Sequence, residues 1–365
     1  MYHPVWLAVL VLNFVCLIVS PVAAETKAGS LLLYRPGVEA GGTPALPKPA
    51  PPRLKTFSPL KRLSQTPVLS PRTGKFDAVG AFNPAIAQAE DGRFIMLYRG
   101  QDEHGVSRIV YAASADGLHF TAEETPVLAP CFLDERNGIE DPRLSKSIIE
   151  PGAWDLTVTV YNTDAQLALY RSRNLRDWTR VGIMMPAKQG SWNINWTKSG
   201  AIVPGKINGK LWMYYMGDAK DGSDQTGCAV SQDGINWKDA TDRPVLPRRP
   251  HSFDSRVVEP GPAPILTEAG ILLLYNGADQ KLTYKTGWAL FDKNDPAKLI
   301  ARSKKPIFAP EKNWEKKIVS KTVRQAPNVV FVEGLIKSGK NRYLVYYGAA
   351  DCRVGVAETS LVNLP

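Results

Sequence analysis

The chain has 365 residues, of which 44% are hydrophobic, and its formal net charge at pH 7 is +10. That length is enough for one large all-β domain or two ordinary domains. The four His and four Cys residues are scattered without a C-x-x-C pair, which argues against a metal knuckle or a redox motif. No nucleic-acid-binding motif accompanies the positive charge, so we expect no nucleic-acid partner.

The first 24 residues have the pattern of a signal peptide. An apolar run from Val5 to Ile18 is interrupted only by Asn13, and the small residues Ala23 and Ala24 follow it. The run is short for a membrane-spanning helix, so an uncleaved anchor is the less favoured alternative. We expect cleavage near Ala24, a secreted or periplasmic protein, and no stable membrane insertion afterwards.

Residues 25–72 have the composition of a linker. Five prolines lie between Pro44 and Pro52, next to Gly41 and Gly42. Such proline-rich segments are extended spacers rather than packed domains. The sequence therefore predicts a Pro-rich N-terminal linker over 25–72 and a catalytic domain over 73–365.

A repeated turn pattern follows. Ser, any residue, Asp or Asn, Gly or Leu, two further residues and an aromatic residue recur in 114–120, 172–178 and 231–237, and the first Ser residues are 58 and 59 positions apart. Two strand-like runs precede each copy, and two later copies keep these runs while the turn varies. A unit that recurs about every 60 residues is typical of repeat architectures. We predict an all-β fold, a five-bladed β-propeller with a central active-site pocket, in preference to a β-sandwich.

Two features leave alternatives open. Cys131, Cys228 and Cys352 can form one disulfide with a free thiol, or remain three free thiols. The basic segment from Lys298 to Arg324 can meet an acidic polysaccharide, or can be a solvated face.

Carboxyl groups at strand ends are the candidates for catalysis, because a propeller brings one strand of every blade to its axis. The segment Gly138–Arg143 places Glu140, Asp141 and Arg143 just before a strand. Adjacent side chains on an extended strand point to opposite sides, so one acid can face the pocket while the other pairs with the Arg. Further acids stand at strand edges in other repeats, whereas Asp116 and Asp233 lie in the turn motif and are expected to be structural. These edge acids are Asp218, Glu259 and Asp351.

Several side chains near these acids suit sugar binding. Aromatic faces stack on the apolar side of a pyranose ring, while charged and amide groups bind its hydroxyls. For each Trp, packing in the core is an equally good interpretation. The candidates are Asn83, Tyr98, Arg99, Trp192, Trp196 and Trp288.

Five of these segments together resemble glycoside hydrolase family 130, the mannoside phosphorylases and β-mannosidases. The resemblance extends from about Phe82 to Ala357. It implies a general acid at Asp141 and sugar binding by Asn83, Arg99 and Asp351. The segments are Phe82–Pro84, Leu97–Gly100, Glu140–Arg143, Lys198–Ala201 and Tyr346–Asp351.

The family divides by nucleophile, phosphate in the phosphorylases and water in the hydrolases. Lys198 matches one basic position of the phosphate site, but Gln166 stands where phosphorylases carry an Arg, and Gly217-Asp218 where they carry His-Arg. Glu259 replaces a small residue. Because ionised Asp218 and Glu259 would repel phosphate, and phosphorolysis is useful only if the sugar phosphate stays in the cell, hydrolysis is the favoured reaction.

The expected mechanism is inverting. Asp141 protonates the glycosidic oxygen, and Glu259, with Asp218, activates a water on the opposite face, which requires carboxyl groups about 6.5–9.5 Å apart. Glu140, Arg143, Lys198 and Trp196 complete the predicted substrate site. No metal or other cofactor is expected, and phosphate enters as co-substrate only in the phosphorylase alternative.

The predicted partner is an oligosaccharide or glycan with β-linked mannose, while the linkage and the oligomeric state stay open. A non-catalytic carbohydrate-binding propeller is a second alternative to the hydrolase. A third is a five-bladed glycosidase of another clan, acting on arabinosides or fructosides.

Overall fold

The computed structural model describes residues 53–320 and 322–364, which form β-strands and two 3-10 helices, Leu133–Glu135 and Asn313–Glu315. The predicted signal peptide and most of the predicted linker lie outside these residues. No helix within them is long and apolar enough to cross a membrane. The strands are β1 Lys55–Phe57, β2 Lys61–Arg62, β3 Gly80–Gln88, β4 Phe94–Gln101, β5 Ser107–Ser114, β6 Thr121–Leu128, β7 Gly138–Lys146, β8 Trp154–Tyr161, β9 Ala165–Ser172, β10 Thr179–Met185, β11 Asn193–Ile202, β12 Leu211–Ala219, β13 Asp224–Ser231, β14 Lys238–Asp239, β15 Val257–Pro260, β16 Ile265–Thr267, β17 Gly270–Ala278, β18 Tyr284–Phe291, β19 Leu299–Arg302, β20 Val330–Lys337, β21 Arg342–Ala349 and β22 Arg353–Asn363.

The strands form five consecutive antiparallel units, which confirms the all-β prediction. The units are β3–β6, β7–β10, β11–β14, β15–β19 and β20–β22, the last one completed by β1 and β2. Neighbouring units meet at single parallel pairings, Ser107 with Gly138, Asp224 with Val257 and Tyr284 with Val329. The recurrence of this junction shows that each sequence repeat is one structural unit.

The N-terminal strands correct the predicted linker boundary. Lys55 pairs with Asn363 and Lys61 pairs with Glu358, so β1 and β2 both lie antiparallel to β22. These strands are three and two residues long, so they are too short to show the alternation of apolar and polar residues by which a strand is predicted from sequence. The folded region therefore includes residues assigned to the linker. The pairing of β1 and β2 with β22 also covers the outer edge of β22, which would otherwise expose unpaired backbone groups.

The first strands of the units lie against one another. β3, β7, β11 and β15 contact in succession, while β20 contacts β3 on one side and β17 on the other. Register shifts interrupt β3, β7, β11 and β20 at the same place in each unit. Asn83, Asp141 and Ser199 stand at these bulges with φ of 50°, 51° and 57°. Because a bulge changes which way the following side chains point, it turns this set of residues towards a shared space.

The repeated turn is held by its own polar side chains. The Ser114 hydroxyl accepts the Gly117 N–H at 2.9 Å, and Asp116 accepts the N–H groups of Leu118 and His119, both at 2.9 Å. Asp233 binds its turn in the same way. These acids are structural, as the sequence predicted.

In two units, a loop carboxylate binds both a buried strand Tyr and a loop Arg, and these contacts hold the loop against the unit. Tyr98 donates to Asp77 at 2.6 Å, and Arg72 donates to the same carboxylate at 2.9 Å. Residues 249–254 repeat this arrangement: Tyr275 and Arg249 both donate to Asp254 at 2.8 Å. The matched arrangement gives each loop a fixed position on its unit.

The cysteines at positions 131, 228 and 352 are free thiols, so these three form no disulfide with one another.

Candidate active site

A cavity of about 470 Å³ opens where the five first strands meet, and every unit contributes at least one side chain to it. We call it the acid cavity. Eight of the ten predicted catalytic and substrate-binding residues line it, all except Asp218 and Arg143. Its lining residues are Phe82, Asn83, Arg99, Glu140, Asp141, Trp196, Lys198, Met216, Asp224, Glu259, Lys281, Leu282, Tyr284, Arg324, Gln325, Ala326, Pro327, Phe331 and Asp351.

Asp141 is buried at the bulge of β7, with only 8% of its surface exposed. The Arg99 guanidinium reaches its Oδ1 at 3.3 Å, and its backbone carbonyl accepts Arg143 Nη1 at 3.1 Å. Pro142 follows it and fixes the backbone. The carboxyl group is therefore held in one orientation, while the cavity gives access to it.

Glu140 lies between two cations at the wall of the acid cavity. Arg99 Nη2 donates to its Oε1 at 2.6 Å, and Lys198 Nζ is 3.8 Å from its Oε2. Burial alone would lower the pKa of the Lys198 ammonium, but the charges of Glu140, Asp141 and Glu259 outweigh it and raise that pKa. Lys198 is therefore positively charged at neutral pH.

Glu259 is a buried acid at the end of β15. It accepts a hydrogen bond from the Ser199 hydroxyl of the neighbouring unit. Desolvation, and next the charge of Asp141, raise the pKa of its carboxyl to about 7. A group that titrates near neutrality can donate or accept a proton at working pH.

Asp351 and Asn83 face the acid cavity from the last and first units. Asp351 Oδ2 accepts the Ala326 N–H at 2.7 Å. Desolvation raises the pKa of Asp351 to about 6. A carboxylate and an amide in a confined site are suited to binding sugar hydroxyls, as the resemblance implied.

Arg143 is not a lining residue, which corrects its predicted role. It forms a buried ion pair with Glu333 and donates to the carbonyls of Gly261 at 2.8 Å and Pro260 at 3.0 Å. This side chain therefore joins three of the units. Sequence reasoning missed Glu333, whose side chain is wholly buried in this ion pair. The sequence feature that could have identified Glu333 is its position directly before Gly334, in the first strand of the last unit.

Asp218 is also outside the lining set, contrary to its predicted catalytic position. It is 6% exposed and accepts a hydrogen bond from the Asn195 side chain. Its cross-strand partner Asp224 lines the acid cavity instead. Desolvation, and next the Asp218 charge, raise the pKa of Asp224 to about 6. Gln166 is absent from the lining as well, and its amide oxygen accepts the Ala187 N–H at 3.4 Å.

An apolar wall completes the acid cavity. Trp196 lies there with Met216, Leu282 and Tyr284, and its indole N–H donates to Asp224 at 3.1 Å. The other aromatic candidates are core residues, as the alternative interpretation allowed. They are Trp192 at 5%, Trp288 at 7% and Tyr98 at 0% exposure. Tyr284, Lys281 and Arg324 were missed as site residues, although Arg324 ends the basic segment noted in the sequence.

Buried acids opposite an aromatic and apolar wall, where five β-units meet, define a site of the carbohydrate-active enzyme type. The family model for glycoside hydrolase family 130, described as beta-1,4-mannooligosaccharide phosphorylase, matches residues 53–364. This chain belongs to glycoside hydrolase family 130.

Relatives within the family are known by activity. The 1,2-beta-oligomannan phosphorylase of Thermoanaerobacter sp. (strain X514) is 35% identical, over 82% of this chain and 96% of that protein. The beta-1,2-mannobiose phosphorylase of the same organism is 31% identical, over 82% and 96%. Because these relatives are phosphorylases, they favour the phosphorylase alternative over the hydrolase expected from the sequence.

A solved structure gives a second comparison. It aligns with a TM-score of 0.71 and 34% identity, over 83% of this chain and 94% of that one. It is described by the statement that the GH130 family of mannoside phosphorylases contains glycoside hydrolases that target beta-1,2 mannosidic linkages in Candida mannan. The family therefore includes both phosphorylases, which use phosphate as nucleophile, and hydrolases, which use water.

Proposed function

We propose that this chain cleaves β-1,2-linked mannosides with inversion at the anomeric carbon, and that its five units are the blades of a five-bladed β-propeller. The observation that carries the proposal is the convergence of Asp141, Glu259, Asp351 and Asn83 on one cavity. The linkage is taken from the relatives, two of which act on β-1,2-mannosides by name.

Asp141 is the general acid in this proposal. It donates its proton to the glycosidic oxygen, directly or through a sugar hydroxyl, so that the leaving group departs as an alcohol. Arg99 and Glu140 fix its position, while Asn83 and Asp351 bind hydroxyls of the mannosyl unit. Trp196 and its apolar neighbours contact the less polar face of the ring.

Inorganic phosphate is the nucleophile that we propose first. Lys198, Lys281 and Arg324 line the acid cavity, and the last two have no ion-pair partner within 53–320 and 322–364. Of the two acids that argued against phosphate, Asp218 is not in the lining. The other acid, Glu259, is largely protonated below its pKa of about 7 and then does not repel a dianion.

Hydrolysis is the second candidate, and Glu259 is the observation in its favour. Above its pKa the carboxylate can remove a proton from a water that attacks the anomeric carbon, with Asp141 as its partner acid. Secretion, which the N-terminal sequence predicts, also suits hydrolysis. Mass analysis of the mature protein tests that expectation, with a new N-terminus after Ala24 as the expected result.

Product analysis decides between the nucleophiles. Purified protein is incubated with β-1,2-mannobiose, with and without inorganic phosphate. Mannose 1-phosphate formed only with phosphate supports phosphorolysis, and free mannose formed equally without phosphate supports hydrolysis. Asp141→Asn is expected to lower either rate by about 100-fold or more. Glu268→Gln, in the exposed turn before β17, is the matched control and is expected to leave the rate unchanged.

Turnover of other β-linked disaccharides in preference to β-1,2-mannobiose would contradict the proposed linkage. Absence of any turnover, with saccharide binding retained, would favour the non-catalytic alternative.

A further inference from the structure

Ser199 occupies, in the third unit, the position that Asn83 and Asp141 occupy in the first two. Each of the three stands at the bulge of a first strand, with φ between 50° and 57°. Other residues adopt this left-handed conformation less readily than Gly, which points to a role for the side chain that is present. Asn83 and Asp141 line the acid cavity. Ser199 is fully buried and contacts a lining residue instead.

The residue that Ser199 contacts is Glu259 of the next unit. The Ser199 hydroxyl donates to Glu259 Oε1, and it has no other acceptor in the part of the chain that the structure describes. The second oxygen, Oε2, has no hydrogen-bond partner among the same residues, although Glu259 lines the acid cavity. A carboxyl group whose Oε1 accepts a hydrogen bond carries its own proton on the other oxygen. Oε2 is therefore the oxygen that remains for a molecule bound in the cavity.

The bulge that carries Ser199 is anchored on both sides. Thr197 Oγ1 donates to the carbonyl of Met185 at 2.7 Å, and Thr157 Oγ1 donates to the carbonyl of Gly200 at 2.5 Å. Both acceptors and both donors are buried parts of neighbouring strands. The Ser199 hydroxyl therefore starts from a fixed backbone, which is the condition for holding a reacting group in one orientation.

Charged and titratable groups from four other strands face Glu259. They are Asp141, Arg143, Lys198, Tyr284 and Glu333. Desolvation, and next the charge of Asp141, raise the pKa of Glu259 to about 7. The Ser199 hydroxyl acts in the opposite direction, because it binds the ionised carboxylate. Loss of this hydroxyl is therefore expected to raise the pKa of Glu259 further.

We infer that Ser199 is a positioning residue, whose hydroxyl holds Oε1 of Glu259 so that Oε2 contacts the nucleophile. The inference rests on the proposed function, because it assumes inverting cleavage with Glu259 beside the nucleophile. With water, Oε2 takes a proton from the water whose oxygen bonds to the anomeric carbon, while Asp141 gives its proton to the departing oxygen. With phosphate, Oε2 keeps its proton and donates a hydrogen bond to the attacking anion.

Kinetics of Ser199→Ala on β-1,2-mannobiose test the inference. We expect kcat to fall by about tenfold and KM to change less, because Ser199 does not line the acid cavity. The pH midpoint of kcat/KM is expected to move upward by about one pH unit, whichever nucleophile is used. Ser199→Gly also removes the hydroxyl but suits the left-handed backbone, so it is expected to behave in the same way. Ser231→Ala is the matched control, since this hydroxyl of the same unit donates to Asp233 at 2.9 Å in the repeated turn.

The double variant Ser199→Ala, Glu259→Gln shows whether Ser199 acts through Glu259. Because Gln does not titrate, adding Ser199→Ala to Glu259→Gln is expected to change kcat/KM by less than about twofold. Equal losses in both backgrounds would mean that Ser199 supports only the fold, and would overturn the inference. An unchanged midpoint in Ser199→Ala, or a flat profile in wild type, would overturn it as well, while turnover of the mannoside would leave the proposed function intact.

A direct titration separates this inference from the proposed function. The ¹³C resonance of the Glu259 carboxyl is identified by its absence in Glu259→Gln and followed by NMR from pH 5 to 9. A midpoint near 7 in wild type that is higher in Ser199→Ala supports the positioning of Glu259, even without turnover. The same midpoint in both proteins would overturn it. No turnover of any β-mannoside, by contrast, would contradict the proposed function.

Discussion

Glu259 is a buried carboxyl group whose protonation changes near neutral pH, and its two possible roles respond to pH in opposite directions. Below a pKa of about 7 it carries a proton, and above it carries a negative charge. As a base for water it must be ionised. Beside a phosphate dianion it must be protonated, since two anions in a poorly solvated site repel each other.

The dependence of kcat/KM on pH is therefore a residue-scale prediction. For phosphorolysis, we expect the rate to fall as pH rises through about 7, and Glu259→Gln to retain activity and remove that fall. For hydrolysis, the rate rises through the same range, and Glu259→Gln loses about 100-fold or more. Measurement from pH 5.5 to 8.5, with Glu268→Gln as control, distinguishes the profiles. A flat profile for wild type would show that Glu259 does not act in the rate-limiting chemistry.

The same pKa predicts a stability effect. The folded protein keeps the Glu259 proton up to a pKa of about 7, while the ordinary value is 4.5. The native state thus binds more protons than the unfolded chain between these values, so this group's contribution to stability falls as pH rises from 4.5 to about 7. Glu259→Gln removes the ionisation.

We therefore expect Glu259→Gln to raise the Tm, relative to wild type, by more at pH 8 than at pH 5. Differential scanning calorimetry at the two pH values measures this. Equal shifts at both would mean that the carboxyl titrates normally in the folded protein.

At the scale of elements, Arg143 connects the bulged strand β7 to β15 and β20. Its ion pair with Glu333 is almost wholly buried, with 2% and 0% of the side chains exposed. Removal of one partner leaves a charge without compensation in a poorly solvated place. Arg143→Met is therefore expected to lower the free energy of unfolding by about 3–5 kcal/mol.

Urea unfolding measures this change, and the double variant Arg143→Met, Glu333→Leu is expected to recover part of the loss. Arg93→Met is the control, because the Arg93–Asp91 pair is exposed at 54% and 51%. Its expected cost is much smaller, because solvent screens an exposed ion pair. A loss in Arg143→Met no greater than in the control would contradict a structural role for the buried pair.

At the scale of the whole molecule, the N-terminal strands complete the last unit. Phe57 in β1 is 2% exposed and packs with Tyr343, at a ring-centroid distance of 6.1 Å. Phe57→Ala is expected to cost about 3–5 kcal/mol in unfolding free energy. Leu63→Ala, at a 37% exposed position, is expected to cost much less. If the residues before 72 were only a linker, the two substitutions would have similarly small effects.

Sequence patterns located much of the site because the catalytic segments stand at one repeated place. Asn83, Asp141 and Lys198 lie at or beside the bulge of a first strand, and Glu259 lies near the end of β15. In all four cases Pro or Gly follows within two residues. Such local features are visible without tertiary structure. Asp351 was predicted as an acid at a strand edge, and Arg99 as a sugar-binding candidate; the family resemblance then implied sugar binding for both.

The remaining residues depended on side-chain direction. Arg143 and Glu333 turn to each other in a buried pair instead of lining the acid cavity. Asp218 and Asp224 are direct partners across the strand pair and share a face, but Asp224 lines the cavity while Asp218 is bonded by Asn195. On a strand, adjacent side chains face opposite sides, and a bulge shifts that alternation by one residue. An acid at a strand end is therefore visible in the sequence, but the side it faces is not.

By itself, the sequence determined the all-β class, the repeated unit and the family, because strand patterns and turn chemistry are local and recur along the chain. The tertiary structure decided which acids share a cavity, which Trp residues are core, and that β1 and β2 belong to the last unit. These outcomes depend on contacts between residues as far apart as Lys55 and Asn363. Local sequence contains no information on such pairings, which form only when distant parts of the chain pack together.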